Sequence, residues 1–237
     1  MVAVHDAPRG GSGRSLYTWA AVTIIVIVLA GFAHSYYLKT WFGTPVLPGL
    51  LHLHGLVMTL WFALFLLQVR LVAAGRTDLH RRMGVVGALL AMVVVVVGVA
   101  TALTAVRLGH TPGPPPLVFL AIPLGDMLVF SGLIGAALWW RRRSDVHKRL
   151  MLLASLSLLT AAIARIPIDF IVAGGLPLFF ALTDLIVVIC VGYDTARNRR
   201  LHPAFGWGLL VIVSSQLVRF MIAGTATWKQ FAAWLVG

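Results

Sequence analysis

The sequence predicts an all-α fold: a seven-transmembrane-helix bundle, N-terminus cytoplasmic and C-terminus outside, with three successive helical hairpins after the first helix. Three observations lead there. Of 237 residues, 60% are hydrophobic and only 11% charged, a balance that a water-facing domain does not carry. Seven apolar stretches recur, each of about 20 residues, the length a helix needs to cross roughly 30 Å of hydrocarbon. The basic residues gather in alternate loops, as they do when cytoplasmic loops carry the positive charge.

The stretches run approximately over 16–38, 50–74, 83–106, 117–140, 149–172, 177–196 and 204–224. Arg9 and Arg14 precede the first. Arg70 stands near the inner end of the second, and Arg76, Arg81 and Arg82 lie between the second and third. Arg141, Arg142, Arg143, Lys148 and Arg149 lie between the fourth and fifth, and Arg197, Arg199 and Arg200 between the sixth and seventh. The opposite loops hold Lys39, Arg107, His110 and Lys229. This asymmetry sets the orientation, and the chain is expected in a cytoplasmic (inner) membrane. It divides the chain into a cytoplasmic tail (1–15), one membrane domain (16–224) and an outer interfacial tail (225–237). It also accounts for the net charge of +12, so the expected partner is the lipid bilayer and not nucleic acid. Association with a respiratory complex, a small molecule or a second copy stays open at this point. The lone cysteine, Cys190, lies inside an apolar run, so no disulfide framework exists.

Outside the membrane, "HTPGPPP" (110–116) reads as a stiff extended link, because consecutive prolines favour polyproline II. "GGLP" (174–177) reads as a tight outer turn. The end of the chain, "GTATWKQFAAWLVG", reads as a short interfacial helix anchored by Trp228 and Trp234. Small residues four apart, Gly84/Ala88 and Gly132/Ala136, mark expected close helix contacts.

One joint repeats. "RTDLHRRMG" (76–84) and "RSDVHKRLM" (143–151) share Asp-x-His-basic-Arg, and "RRLHPAFG" (199–206) is a weaker third version. Asp78 and Asp145 stand where an N-cap carboxylate accepts backbone N–H groups, and the basic pairs can snorkel to headgroups. The joint therefore reads chiefly as a helix start. A second reading makes His80, His147 and His202 cofactor ligands at the inner face, and docking of a partner is a third.

The outer halves of the spans carry a second group: His34, His54, Asp126, Arg165, Asp184 and Arg219, with His52, Asp169 and Gln216 nearby. At 1.5 Å per residue, His54 lies about 24 Å above Arg70, Asp126 about 22 Å above Arg141, and Arg165 roughly 27 Å above His147. Ionisable groups at such depth face a bundle interior or a wet cavity. Asp126 with Arg165 and Asp184 with Arg219 are the expected ion pairs, enclosing His54, with Asp126–Arg219 as an alternative because sequence fixes depth but not helix order. A metal or haem reading uses His34, His54, Asp126 and Asp184 as metal ligands. His34, His54, Arg165 and Arg219 would then bind the cofactor, the arginines holding haem propionates. A third reading gives the arginines a small anionic or quinone-like ligand. No H-E-x-x-H, G-x-S-x-G or phosphate-loop motif occurs, so whether the chain is an enzyme is left open.

"HGLVMTLWFALFLLQVRLVAAGRTDLHRRMGVVGALLA" followed by "DVHKRLMLLASLSLLTAAIARIP" resembles a family of uncharacterised bacterial multi-pass membrane proteins with His-Arg/Lys-Arg helix starts. The pattern is more distantly similar to membrane proteins of cytochrome-oxidase assembly and to b-type cytochrome bundles. The likeness covers spans two to five. It implies His54, His80 and His147 as the matching positions, haem b or a transition metal as cofactor, and a redox or oxidase-assembly role. Unlike a b-type cytochrome, the chain has no histidine midway along spans three to seven.

Overall fold

The computed structural model describes residues 11–237, with side chains from Ser15 onward. Arg9 lies outside the described residues, as does the side chain of Arg14. Seven helices are long and apolar enough to cross a membrane, and no strand occurs among the described residues. The spans are Ser15–Tyr37, Gly49–Ala73, Thr77–Arg107, Pro116–Trp139, Ser144–Ile163, Asp169–Asn198 and Pro203–Ile222.

The first span is α1 (Gly11–Phe32), continued by a π-helical turn, Ala33–Tyr37. The second is α2 (Gly49–Ala73) and the third α3 (Thr77–Arg107). A short α4 (Pro116–Phe119) leads into α5 (Ala121–Trp139), which completes the fourth. The fifth is broken into α6 (Ser144–Leu156) and α7 (Thr160–Ile163). The sixth is α8 (Asp169–Asn198), the seventh α9 (Pro203–Ile222), and α10 (Ala226–Val236) follows.

Span five is the axis of the bundle. Within its apolar window 78% of residues are buried, against 22–39% for the other six. Helices α1, α5, α8 and α9 pack around it, while α2 packs on α1 and α3, and α3 on α5. Leu150, Leu152, Leu153, Ala154, Leu156 and Leu159 fill the centre. Because this span meets protein on nearly every side, it also carries buried polar groups, Ser155, Ser157 and Thr160. Thr160 and Thr183 share a 3.0 Å hydroxyl–hydroxyl hydrogen bond across α7 and α8. Between α6 and α7 the backbone tightens, with Leu159 N–H bonding Leu156 O and Ala162 N–H bonding Leu159 O. Irregular backbone at this depth is tolerated because protein surrounds it.

Several boundaries differ from expectation. Span three begins at Thr77, so the joint is the first turn of the helix itself. Span five ends at Ile163 rather than 172, which moves Arg165 into the turn before α8. The "GGLP" turn is a kink inside α8: Gly175 is non-helical at φ 56°, a left-handed value open to glycine, and Pro177 follows. The link 110–116 is not one extended run: the chain bends over 112–114, with Gly113 at φ 88°, Pro115 alone is extended at φ −51° and ψ 145°, and Pro116 already begins α4. α10 is pinned at both ends: Trp228 Nε1 donates to Leu117 O at 2.8 Å, and Arg107 Nε to Val236 O at 2.6 Å. Trp234 is exposed.

The close contacts are not at the expected glycines. A Cβ at Gly84 or Gly132 would meet nothing within 4 Å, since both face outward. One at Gly31 would lie 2.1 Å from Ala162 O, so α1 and α7 touch backbone to backbone. The aromatic ring of Tyr36 lies against Gly55 in the same manner.

Candidate functional site

The outer-half residues form two groups rather than one. In the first, α9 turns Arg219 towards α5, where Gly125 leaves the space for it. Arg219 Nη1 donates to Asp126 Oδ1 at 2.6 Å, with the two side chains 7% and 13% exposed. Its other nitrogens donate to Ser215 Oγ, and Nη1 also reaches Ile122 O at 3.3 Å. The guanidinium lies over the Phe180 ring, 5.5 Å from its centre. One turn earlier, Gln216 Nε2 donates to Asp184 Oδ1 at 2.9 Å. The expected pairs Asp126–Arg165 and Asp184–Arg219 are therefore replaced by Asp126–Arg219 and Asp184–Gln216. The reason is helix order: α9 packs against α5, and Arg165 has left the bundle core.

The second group sits on the first two spans and the turn at Arg165. The π-helical turn carries His34, whose ring meets Phe42 edge-on at 6.1 Å and whose carbonyl accepts from Thr44 Oγ1 at 2.6 Å. Tyr37 OH and Thr59 Oγ1 are 2.8 Å apart, and Tyr36 OH donates to His52 O at 3.2 Å, tying this turn to α2. His34 Nδ1 and His54 Nδ1 are both buried without a hydrogen-bond partner. His54 is within Coulombic reach of Arg165. Arg165 donates to Ala161 O and lies over Phe32, 4.9 Å from the ring centre. The expected metal set of His34, His54, Asp126 and Asp184 is not gathered: Arg219 holds Asp126, and Gln216 holds Asp184. Among the described residues no three His, Cys, Asp or Glu side chains form such a group.

At the basic joints the chain brings two histidines together. The rings of His80 and His147 are 6.3 Å apart, centre to centre, and inclined at 76°. His147 Nδ1 lies 2.8 Å from Ala137 O. A carbonyl only accepts, so Nδ1 bears the proton and the neutral ring keeps its lone pair on Nε2. His80 lies beside the Gln68 backbone, and both His80 Nδ1 and Gln68 Oε1 are buried without a partner.

Neither histidine caps a helix, and neither do the aspartates. Arg76 and Arg143 occupy the N-cap positions without side-chain capping bonds, while Asp78 and Asp145 lie in the first turns. There their charge still favours the helix dipole. The side-chain cap is at the third joint. His202 Nδ1 accepts from Ala204 N–H at 3.1 Å, and Nε2, left with the proton, is 3.1 Å from Asp145 Oδ2. Both nitrogens of His202 are thus occupied, which removes it from the expected inner-face ligands.

One strong interaction had no place in the sequence reading. Arg149 grips Asp194 in a fork, Nε to Oδ2 at 3.0 Å and Nη2 to Oδ1 at 2.8 Å, with both side chains 6% exposed. Its Nη1 donates to Asp145 O at 2.7 Å. The available signal was Asp194 itself, an acid in the last turns of an apolar span that ends among arginines. Compared with family models, curated proteins and solved structures, the chain shows no match.

Proposed function

We propose that this multi-pass membrane protein is a redox protein that holds a metal centre, haem iron or a bare transition metal, between His80 and His147. The carrying observation is the facing pair of imidazoles 6.3 Å apart. His80 and His147 would hold the metal through their imidazole nitrogens, and their ring centres are close enough for both to reach one ion. His147 is oriented as a ligand is, its second nitrogen tied to a backbone carbonyl. The unpartnered atoms of His80 and Gln68 supply further donors. Such a centre would supply one-electron chemistry; the chain would fix the imidazoles and shield them from water.

The same reading keeps the N-terminus and the basic joints cytoplasmic in a bacterial inner membrane, the C-terminus outside, and three hairpins after the first helix. Support comes from the loop charges and from the packing of α2 on α3 and α5 on α6. The likeness to a bacterial family with His-Arg/Lys-Arg helix starts, and a place beside a respiratory oxidase, belong to this proposal as well. The test is an absorption spectrum with metal analysis on detergent-purified protein. A band at roughly 400 nm or one bound transition metal is expected, lost in His80→Gln and in His147→Gln but kept in His202→Gln. Protein carrying neither haem nor metal rejects the reading.

The outer group favours a second reading, a site for a small anionic or quinone-like ligand. Among the described residues Arg165 has no carboxylate partner, His54 keeps an unpartnered nitrogen within Coulombic reach of it, and His34 keeps one on the adjoining π-helical turn. Binding of a quinone analogue that Arg165→Gln weakens, with the inner histidines intact, would support it.

A further inference from the structure

At the joint end of the bundle, three helices leave a small cleft of about 50 Å³ lined by Leu16 and Tyr17 of α1, Lys148 and Arg149 of α6, and Tyr193, Asp194, Arg197 and Asn198 of α8. Lys148, Arg149 and Arg197 bring cationic side chains to its lining and Asp194 a carboxylate. Arg149 and Asp194 neutralise each other in their fork and make a rigid floor. Asn198 Nδ2 donates to Asp194 O at 2.7 Å and holds the end of α8 in place. That leaves the exposed Lys148 ammonium, 5.4 Å from the centre of the Tyr17 ring. Beneath it the Tyr17 hydroxyl is buried without a partner, although the residue as a whole is 9% exposed. A buried hydroxyl with no acceptor loses a hydrogen bond outright, at a cost that native structures rarely leave uncompensated.

An acceptor that carries negative charge would satisfy both groups. It must be small, since the space holds only a few waters' volume. It must also be reachable at the end of the apolar spans, where cationic side chains meet headgroups. We propose that this cleft binds a phosphate group, its oxygens taking the Tyr17 O–H and the Lys148 ammonium, with Arg197 contributing positive field at the rim. Arg149 does not bind the phosphate; through Asp194 it fixes the floor. The source is the phosphodiester of an anionic lipid or free inorganic phosphate, and the chemistry of recognition is common to both. The site is independent of the His80–His147 centre, so either can fail without the other.

The test uses the full chain in mixed micelles of phosphatidylcholine and phosphatidylglycerol, with bound lipid counted by native mass spectrometry. Retention of phosphatidylglycerol over phosphatidylcholine, reduced about fivefold in Lys148→Gln and also reduced in Tyr17→Phe, supports the lipid source. A rise in melting temperature with inorganic phosphate, abolished by the same two variants, supports the free-phosphate source. Both variants are conservative in volume, and their helical circular dichroism should equal that of the parent. Arg141→Gln, an exposed cation outside the cleft, is the control. If it lowers retention as much as Lys148→Gln does, the attraction is a general surface charge and the site is refuted. Equal retention of both lipids with no phosphate-dependent shift refutes it too.

Discussion

Gly125 and Arg219 occupy one space: a Cβ on Gly125 would lie 2.2 Å from Arg219 Nε and 2.7 Å from its Cδ. Two effects oppose each other in Gly125→Ala. Alanine gains about 1 kcal/mol of helix propensity over glycine. Overpacking costs about 1–3 kcal/mol, and here the displaced group is a guanidinium locked to Asp126 and Ser215. The clash should win, and the variant should melt several degrees below the parent in detergent. A melting temperature equal to or above the parent's would mean that Arg219 has room to move and that its pairing is loose.

The Asp126–Arg219 pair should behave as a buried ion pair. Asp126→Ala leaves a buried guanidinium and should cost about 3–5 kcal/mol, whereas removing both charges with apolar residues of similar volume should recover most of that loss. Denaturant titration of Asp126→Ala, and of the closed cycle Asp126→Leu, Arg219→Met and Asp126→Leu/Arg219→Met, measures it. Additive losses in the double variant would contradict the pairing.

Close approach of α1 to span five should make Gly31 intolerant in a way that Gly84 is not. At Gly31 the new Cβ meets the Ala162 carbonyl, backbone that cannot swing aside; at Gly84 it meets open space. Gly31→Ala should lower the melting temperature sharply, while Gly84→Ala should leave it unchanged or raise it by the propensity gain. Equal behaviour of the two would show that α1 adjusts freely.

Orientation is checked with one cysteine. Ser144 begins α6 at a basic joint and is exposed, and the native Cys190 is buried. Ser144→Cys should react with an impermeant thiol reagent only when the cytoplasmic face is open. Labelling in intact cells would reverse the assigned topology.

The spans were legible because their signal is additive: some twenty apolar residues in a row outweigh any local preference. The joints were legible as helix starts for the same kind of reason, with charge and turn residues adjacent in sequence. Partner choice was not. Depth along a helix follows from counting residues, so Asp126 and Arg219 could be put in one layer, but which helix faces which depends on packing. Arg165 was misplaced because the span ends at Ile163, a boundary that unbroken apolar sequence conceals. The His80–His147 contact joins two joints from different hairpins, and only the packing of those hairpins brings them together. Gly31 and Gly125 were missed because a single glycine has no spacing pattern to announce it.

The broken fifth span also bears on how the protein is made. Its mean hydropathy is 1.4, the lowest of the seven, against 2.7 for the third. A segment leaves the translocon for lipid in proportion to its apolar content, so of the seven this one has the weakest drive to enter lipid by itself. Ser157 Oγ donates to Ala154 O within the same span, but the hydroxyl that bonds Thr160 belongs to Thr183, encoded later in α8. The axis of the bundle should therefore settle fully in the bilayer only after α8 has been made. A nascent chain halted just after α7 presents that segment unsheltered, in the form that membrane quality-control proteases recognise.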